Sequence, residues 1–504
     1  MNADTVILGA GSAGAVIAAR ATERADRQVL LVEAGPDYLE GATPGDLRDG
    51  TRNSMSAHDW GFRHQPTPGQ VSFPFPRGRV VGGSSAVNTC IALRGQAYDY
   101  DEWAARGLPE WTFERCLPAF KRLEHDLDMD DEGHGKTGPV PIRRHTPSEL
   151  VPWQAAFLES CKTLRFPACR DHNGPAPSGY APHPMNKING ERMSAARCYL
   201  TTEVRARENL AIRPRTLVRR VLSENRRVTG VEVVTDGRTL VIATSRVILS
   251  AGAIATPGIL LRSGIGPRAK VERVGATPVM ELPAVAAKLL DHPGAAIILA
   301  PREFQRSRVH PLIQTMLRFT SKGSRYPNDM QVQPGSQLTL PMMSVPCVSL
   351  MCSVGKPEGH GTIEFTGADP ESKPRIDSQL LIHPADRARA VEALRIAYDL
   401  CRTSPMKEMV RFFWPGERVL RERASISEWI VRSCDSGYHP CGTVPMGAEG
   451  DPEAAVDQYG RVRGMTGLWV ADASIMPTVP SVNTNVPTLM IGERFGEWVR
   501  DGVI

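Results

Sequence analysis

The chain opens on a short apolar run at residues 5–8, passes through a glycine turn, continues with an Ala- and Val-bearing stretch of helical length, and reaches a second apolar run at 29–32. Unbroken apolar runs bounded by turn residues suit strands buried on both faces, and the helical stretch between them suits a crossover. The pattern predicts a strand–helix–strand unit with parallel strands. Residues 245–266 repeat it: a β-branched strand, a turn at Ala251 and Gly252, a short helix opened at Thr256 and Pro257, and a stop at Gly264. Between the two, residues 210–249 alternate apolar and polar positions, with turn signals at ENRR and TDGR, and predict a β-meander. From 286 to 435, the Met-bearing alternation PMMSVPCVSLMCSVGKPEGHGTIEFTG predicts strands of an antiparallel sheet, with DRARAVEALRIAYDLCR as a helix beside them. PNDMQVQPGSQ reads as a surface loop or mobile lid, and VPTLMIGERFGEWV as a helix near the C-terminus.

Composition adds limits. A chain of 504 residues exceeds the size at which one core stops growing, so two intimately joined domains are expected. A hydrophobic fraction of 41% and a charged fraction of 23%, without a long apolar run, indicate a soluble protein. The charge of +5 is spread along the chain without a basic block, so nucleic acid is not an expected partner. Ten cysteines in so long a chain are too sparse for a disulfide scaffold, and reduced thiols are expected. The first apolar run has no basic flank and leads straight into a folded motif, so no signal peptide is read and a cytoplasmic location is expected.

Gly9, Gly11 and Gly14 stand in the spacing G-x-G-x-x-G between the first predicted strand and helix. In a dinucleotide-binding unit the first glycine makes the turn, the second lets backbone approach the pyrophosphate, and the third lets helix pack on strand. The helix N-terminus then faces the phosphates. Glu33 ends the second strand, where a carboxylate can accept from a ribose diol. The fingerprint alone does not separate NAD from FAD. No second G-x-G-x-x-G with a following acid occurs, which favours one permanently held dinucleotide, FAD. A disulfide-reductase reading would need a cysteine pair soon after this unit, whereas Cys90 is the first cysteine in the chain.

Residues 78–95, GRVVGGSSAVNTCIALRG, suit neither a regular strand nor a solvent-facing helix and read as a buried loop around a ligand. Gly82, Gly83, Ser84 and Ser85 permit close backbone approach, and Asn88 offers both donor and acceptor. A ligand-free connection is the alternative. Near the C-terminus, SGYHPCGTVPMG places His439 in a tight loop. Cys434, His439 and Cys441 lack a second ligand pair and zinc spacing, so no metal is expected.

Taken together, GRVVGGSSAVNTCIALRGQAYDYD, GAIATPGILLRSGIG, HPCGTVPMG and LWVADASIMPTVPSVNTNVPTLMIGER resemble, in order and spacing, the signature segments of the glucose-methanol-choline (GMC) family of flavin-dependent oxidoreductases. The resemblance covers the N-terminal third, residues 190–295 and the last 75 residues. It implies an α/β fold: a Rossmann-like FAD-binding domain with a β-meander (1–145, 190–285 and 440–504), and a substrate domain of antiparallel sheet backed by helices (146–189 and 286–439). It also implies a catalytic pair, His439 and Asn483, with Tyr438 beside them at the substrate. Val87 stands where covalently flavinylated members carry histidine, so noncovalent FAD is expected.

Cofactor contacts are expected from Gly9, Gly11, Ser12, Ala13, Gly14, Glu33 and Ala34 in the first segment. The second segment is expected to contribute Arg79, Gly82, Gly83, Ser84, Asn88, Thr89, Cys90 and Ile91. Val218, Ala251 and Gly252 follow from the middle of the chain, and Asp472, Ala473, Asn485 and Val486 from its last part, Asp472 having helix capping as its other reading.

Oxidising an alcohol requires removal of the hydroxyl proton and transfer of a hydride from carbon to flavin N5. A neutral imidazole can take the proton near neutral pH. An amide cannot, but it can donate to the developing alkoxide. The expected substrate is a small aromatic or otherwise activated primary alcohol, with a sugar or glycoside second and a non-redox hydroxynitrile-type lyase as a further alternative. Oxygen and other electron acceptors both remain open. Met342, Met343 and Met351 are candidates to line the pocket, and Gly437 is expected to leave room above the flavin.

Overall fold

The computed structural model describes residues 3–39, 41–55, 57–175, 177–302, 311–339 and 346–504. A five-stranded sheet lies at its centre, in the order Leu210–Arg213, Val29–Val32, Thr5–Leu8, Val247–Leu249, Leu468–Val470. Every neighbouring pair is parallel, with Val6 opposite both Leu30 and Val247. The runs TVIL, VLLV and VIL are buried throughout, as strands covered on both faces must be. Parallel neighbours need a crossover, and helix Gly14–Ala21 provides the first. Residues 210–213, read from sequence as part of the meander, instead form the half-exposed edge of this sheet.

The meander itself is Thr216–Glu224, Arg227–Thr235 and Arg238–Ala243. Its turns, Asn225-Arg226 and Asp236-Gly237, carry positive φ at both central residues, the geometry that matches strand twist in a two-residue hairpin. The second crossover helix is Gly252–Arg262, so it starts at Gly252 and carries Pro257 inside it, not at its opening. Proline cannot donate to the carbonyl four residues back. That carbonyl, of Ala253, accepts from Thr443 Oγ1 at 2.7 Å.

A seven-stranded, antiparallel sheet forms the other layer, in the order Val410–Trp414, Pro293–Pro301, Pro346–Val354, Met330–Thr339, Thr315–Phe319, Gly179–Pro182. Asp435–Ser436 pairs with the start of Pro293–Pro301. Helices Pro152–Thr163 and Pro384–Arg402 pack on it through Phe157, Leu394 and Ala397 against Ile297, Leu317 and Leu350. The stretch read as a loop or lid, 327–337, is mostly the strand Met330–Thr339, with Met330 and Val332 fully buried. Met342 and Met343 lie outside the described residues.

The last helix, Asn485–Asp501, lies against the first. A Cβ on Gly492 would stand 2.8 Å from Val16 Cβ, and one on Gly496 2.6 Å from Arg20 Cβ, so both positions must be glycine for the helices to approach this closely. Glu493, fully buried between them, accepts from Arg20, Arg122 and Tyr199. Among the described residues, no helix is long and apolar enough to cross a membrane.

Candidate functional site

One cleft runs from the carboxyl ends of the parallel strands to the antiparallel sheet, the position at which open α/β sheets bind ligands. Gly9, Glu33, Ser250 and Asp472 follow the strands Thr5–Leu8, Val29–Val32, Val247–Leu249 and Leu468–Val470, and all line it. Gly9 turns the chain at φ +107°, and a Cβ on Gly14 would stand 1.9 Å from Gly9 O. Gly14 therefore serves the strand–helix contact and does not line the cleft. Gly11, Ser12, Ala13 and Ala34 do. The Glu33 carboxylate accepts from Ala10 N at 3.0 Å and Gly35 N at 2.8 Å, which leaves each oxygen a further lone pair. Burial pushes its pKa up to about 7.

The loop 78–95 forms the opposite wall. Gly83, Ser84, Val87, Asn88, Thr89 and Ile91 line the cleft there. Gly83 packs so tightly on Gly11 that its Cβ would stand 2.6 Å from Gly11 Cα. Gly82 lies behind this contact. Cys90 faces a small core with Leu93, Met185 and Val482. Arg79 turns outward to Glu371 at 2.8 Å and over Trp60. Val218, Ala251, Gly252, Ala473 and Asn485 line the cleft, whereas Val486 packs in the core. Asp472 also lines it, but its oxygens are taken by Gly252 N, Thr256 Oγ1 and Ser474 N, so capping is its visible work. Met351 lies in the sheet opposite Ala296 and Gln333, away from the cleft.

At the far end stand Tyr438, His439 and Asn483. His439 is placed by an interrupted ladder: Leu290 bridges Cys441 and Pro293 pairs with Ser436, so 291 and 292 face the longer segment 437–440. The extra length bulges, with Tyr438 at φ +62°, and projects His439 into the cleft. Asp291, fully buried, accepts from His439 N at 2.9 Å, His292 N at 2.8 Å and the Ser436 hydroxyl, fixing the bulge from below. Arg77 donates to Tyr438 O at 2.7 Å. His439 Nε2 lies 2.9 Å from Asn483 Nδ2, and its Nδ1 lies 2.9 Å from His292 Nδ1. Burial, then the neighbouring His292 and Arg77, hold the His439 pKa well below the usual histidine value, so the imidazole is neutral at neutral pH.

Sequence reasoning passed over His292, Asp291 and Arg77. The segment LLDHPG carries the signal, a His between an acid and a Pro-Gly pair, but nothing local ties it to a residue 147 positions away. Gly437 differs from expectation: a Cβ there would stand 2.9 Å from His439 Nδ1 and 3.2 Å from His292 Cβ, so the missing side chain makes room for the histidine pair. Cys434 directs its sulfur to Gln70 and the Leu380 carbonyl. Among the described residues, one group of potential metal ligands occurs, Glu124, Asp126 and His134, in the substance of the protein and not in the cleft.

The cleft suits a dinucleotide flavin. Asn483 Oδ1 and Asn485 Nδ2 are buried and have no partner in the protein, so an acceptor and a donor await a polar ligand. Ser12 Oγ holds Asn485 in place at 2.9 Å. Gly11 lines the cleft without a side chain, and Glu33 presents spare lone pairs at the nucleotide end.

The comparisons with known proteins agree. Residues 3–294 match the N-terminal and 357–492 the C-terminal region of the family described as GMC oxidoreductase. The chain is 34% identical to a 5-(hydroxymethyl)furfural oxidase of Methylovorus sp. (strain MP688), covering 98% of both chains. It is 32% identical to an oxygen-dependent choline dehydrogenase of Vibrio vulnificus (strain YJ016), covering 98% of this chain and 94% of the other. Among solved structures, pyridoxine 4-oxidase from Mesorbium loti superposes with a TM-score of 0.91 at 30% identity over 98% of both chains. A fingerprint for a dinucleotide, a histidine–asparagine pair at the end of the same cleft and full-length similarity to flavin enzymes place the chain in the GMC oxidoreductase family, FAD-dependent enzymes acting on alcohols.

Proposed function

We propose that the chain oxidises a small aromatic or otherwise activated primary alcohol, with His439 as the general base and Asn483 as the group that holds the substrate oxygen. The observation that carries this reading is the 2.9 Å contact between His439 Nε2 and Asn483 Nδ2 in the wall of the flavin cleft. A hydroxyl entering between them gives its proton to Nε2 and receives a hydrogen bond from the amide as negative charge develops on oxygen. FAD held along Gly9–Ala13, Glu33, Ser84 and Asn485 supplies the hydride acceptor.

Tyr438 and Pro440, on either side of His439 in the cleft wall, support an uncharged, ring-bearing substrate. The carboxylates lining the cleft among the described residues are Glu33, whose spare lone pairs serve the nucleotide, and Asp472, whose oxygens are taken by Gly252 N, Thr256 Oγ1 and Ser474 N. A quaternary ammonium such as choline would find no free carboxylate there. The 5-(hydroxymethyl)furfural oxidase is named for a hydroxymethyl group on an aromatic ring, the substrate chemistry proposed here.

The test is anaerobic mixing with a panel of alcohols while following the flavin absorbance. Aromatic primary alcohols should bleach the flavin faster than choline or sugars. The His439→Ala protein should keep FAD and reduce it about 10²- to 10⁴-fold more slowly. Equal bleaching by that variant and the parent removes His439 as base, and product without bleaching replaces oxidation by a lyase. Repeating the reaction in air with peroxide detection decides between oxygen and another acceptor.

A further inference from the structure

An imidazole can act as a base only at the nitrogen that carries no hydrogen, and which nitrogen that is depends on what the other one touches. His292 is 3% exposed, and its Nε2 lies 3.0 Å from Gly355 O and 2.8 Å from Pro480 O. Carbonyls only accept, so this nitrogen carries hydrogen. Burial pushes the His292 pKa down to about 4, so the ring is neutral and its Nδ1 is a lone pair. That lone pair faces His439 Nδ1 at 2.9 Å. Two lone pairs do not bond, so His439 Nδ1 must donate, and its Nε2 is the bare nitrogen. Asn483 presents its Nδ2 donor to that bare nitrogen.

We propose that His292 is a positioning residue: anchored by the Gly355 and Pro480 carbonyls, it holds His439 in the tautomer whose basic Nε2 is turned to the cleft. The inference rests on the reading of His439 as general base. It adds a limit on the pair. Once His439 has taken a proton, its Nδ1–H still donates to His292. A second proton on His292 Nδ1 would set N–H against N–H, so the pair holds one extra proton and not two. The charged groups around it are Asp291 on the backbone N–H groups of both histidines, Arg77 on the Tyr438 carbonyl, and Asp99 and Lys356 near His292.

Three substitutions separate the acceptor from the anchor. In His292→Asn, Oδ1 can take the place of Nδ1. In His292→Gln, the amide can reach the carbonyls but leaves no acceptor at His439. In His292→Phe, neither function survives. Each protein is loaded with FAD and reduced anaerobically, and the imidazole nitrogens of ¹⁵N-histidine-labelled parent and His292→Phe proteins are read by NMR. The expected result is a roughly 10- to 100-fold slower reduction in the Phe and Gln variants at unchanged substrate affinity. The Asn variant should recover most of that loss. The parent spectrum should place the His439 proton on Nδ1, and the Phe variant should show both tautomers. Parental rates in His292→Phe, recovery by Gln and not by Asn, or a parent with the proton on Nε2 would each overturn the proposal. Should the variants fail to hold FAD, the parent spectrum alone decides. Undiminished reduction by His439→Ala is the separate result that would remove the base reading itself.

Discussion

Two buried histidines show how neighbours set opposite charge states in one chain. His134 has carboxylates at both nitrogens: Glu124 at 3.3 Å and Asp126 at 3.2 Å from Nδ1, and Asp171 at 3.2 Å from Nε2. His439 has another imidazole at one nitrogen and an amide donor at the other. Burial lowers the pKa of both. At His134 the hydrogen bonds to Asp126, Asp171 and Glu124 outweigh it and raise the pKa to about 11, so this ring is a fixed cation. At His439 no carboxylate opposes burial, and the ring stays a neutral base. Arg144, bonded to Asp126 at 2.9 Å and Asp171 at 3.0 Å, completes the His134 cage. A histidine between acids is thus a structural rivet, and one shielded from acids is available for chemistry.

The contrast breaks most readily at the cage. Arg144→Met leaves Asp126 and Asp171 short of a cation, and urea titration should show a loss of about 3 to 5 kcal/mol, with the reduction rate per bound FAD unchanged. Gly437→Ala acts at the other site. Its Cβ pushes the His439–His292 pair apart, and anaerobic reduction should slow about tenfold with little change in the urea midpoint. The smallest effect is in pH dependence. A raised histidine pKa contributes stability fully below the unfolded value of about 6.5 and loses it as pH rises through about 11. The stability gap between parent and His134→Gln should therefore be full near pH 6 and shrink towards pH 11. Asp171, lowered to about 2 because its bonds to His134 and Arg144 outweigh burial, keeps its contribution above about pH 4 and loses it as pH falls through about 2. The reduction rate should behave differently, staying flat as pH falls from about 8 through 6.5, since His439 remains neutral there.

What was legible in sequence was mostly local. The Gly9–Gly14 contact and the hairpin turns at 225–226 and 236–237 act within a few residues of themselves, while Gly11 and Glu33 were found by their spacing although their partners Gly83 and Ala10 lie well away from them in the chain. The strand Met330–Thr339 was misread because Asn328, Pro334 and Gly335 look like loop punctuation. Its irregular register between Gly335 and Leu338 accommodates them inside a sheet. The start of the second crossover helix was misplaced for a similar reason, since Pro257 resembles an opening residue until Thr443, far along the chain, is seen to satisfy the carbonyl it frees. His292 and the His134 cage could not be found at all from spacing, because their partners lie on other elements and only the ladder at 290–293 and 436–441 brings the first pair together.

The contact between the first and last helices has a bearing on how the enzyme is made. Residues 5–14 are made about 450 residues ahead of the strand Leu468–Val470, the Asn485 contact to Ser12 and the Gly492–Val16 contact, some 20 to 90 s at common elongation speeds. Until then the glycine turn is an unfinished shelf with one side missing. A chain stalled before residue 468 lacks that side, and should leave the ribosome without bound flavin, colourless.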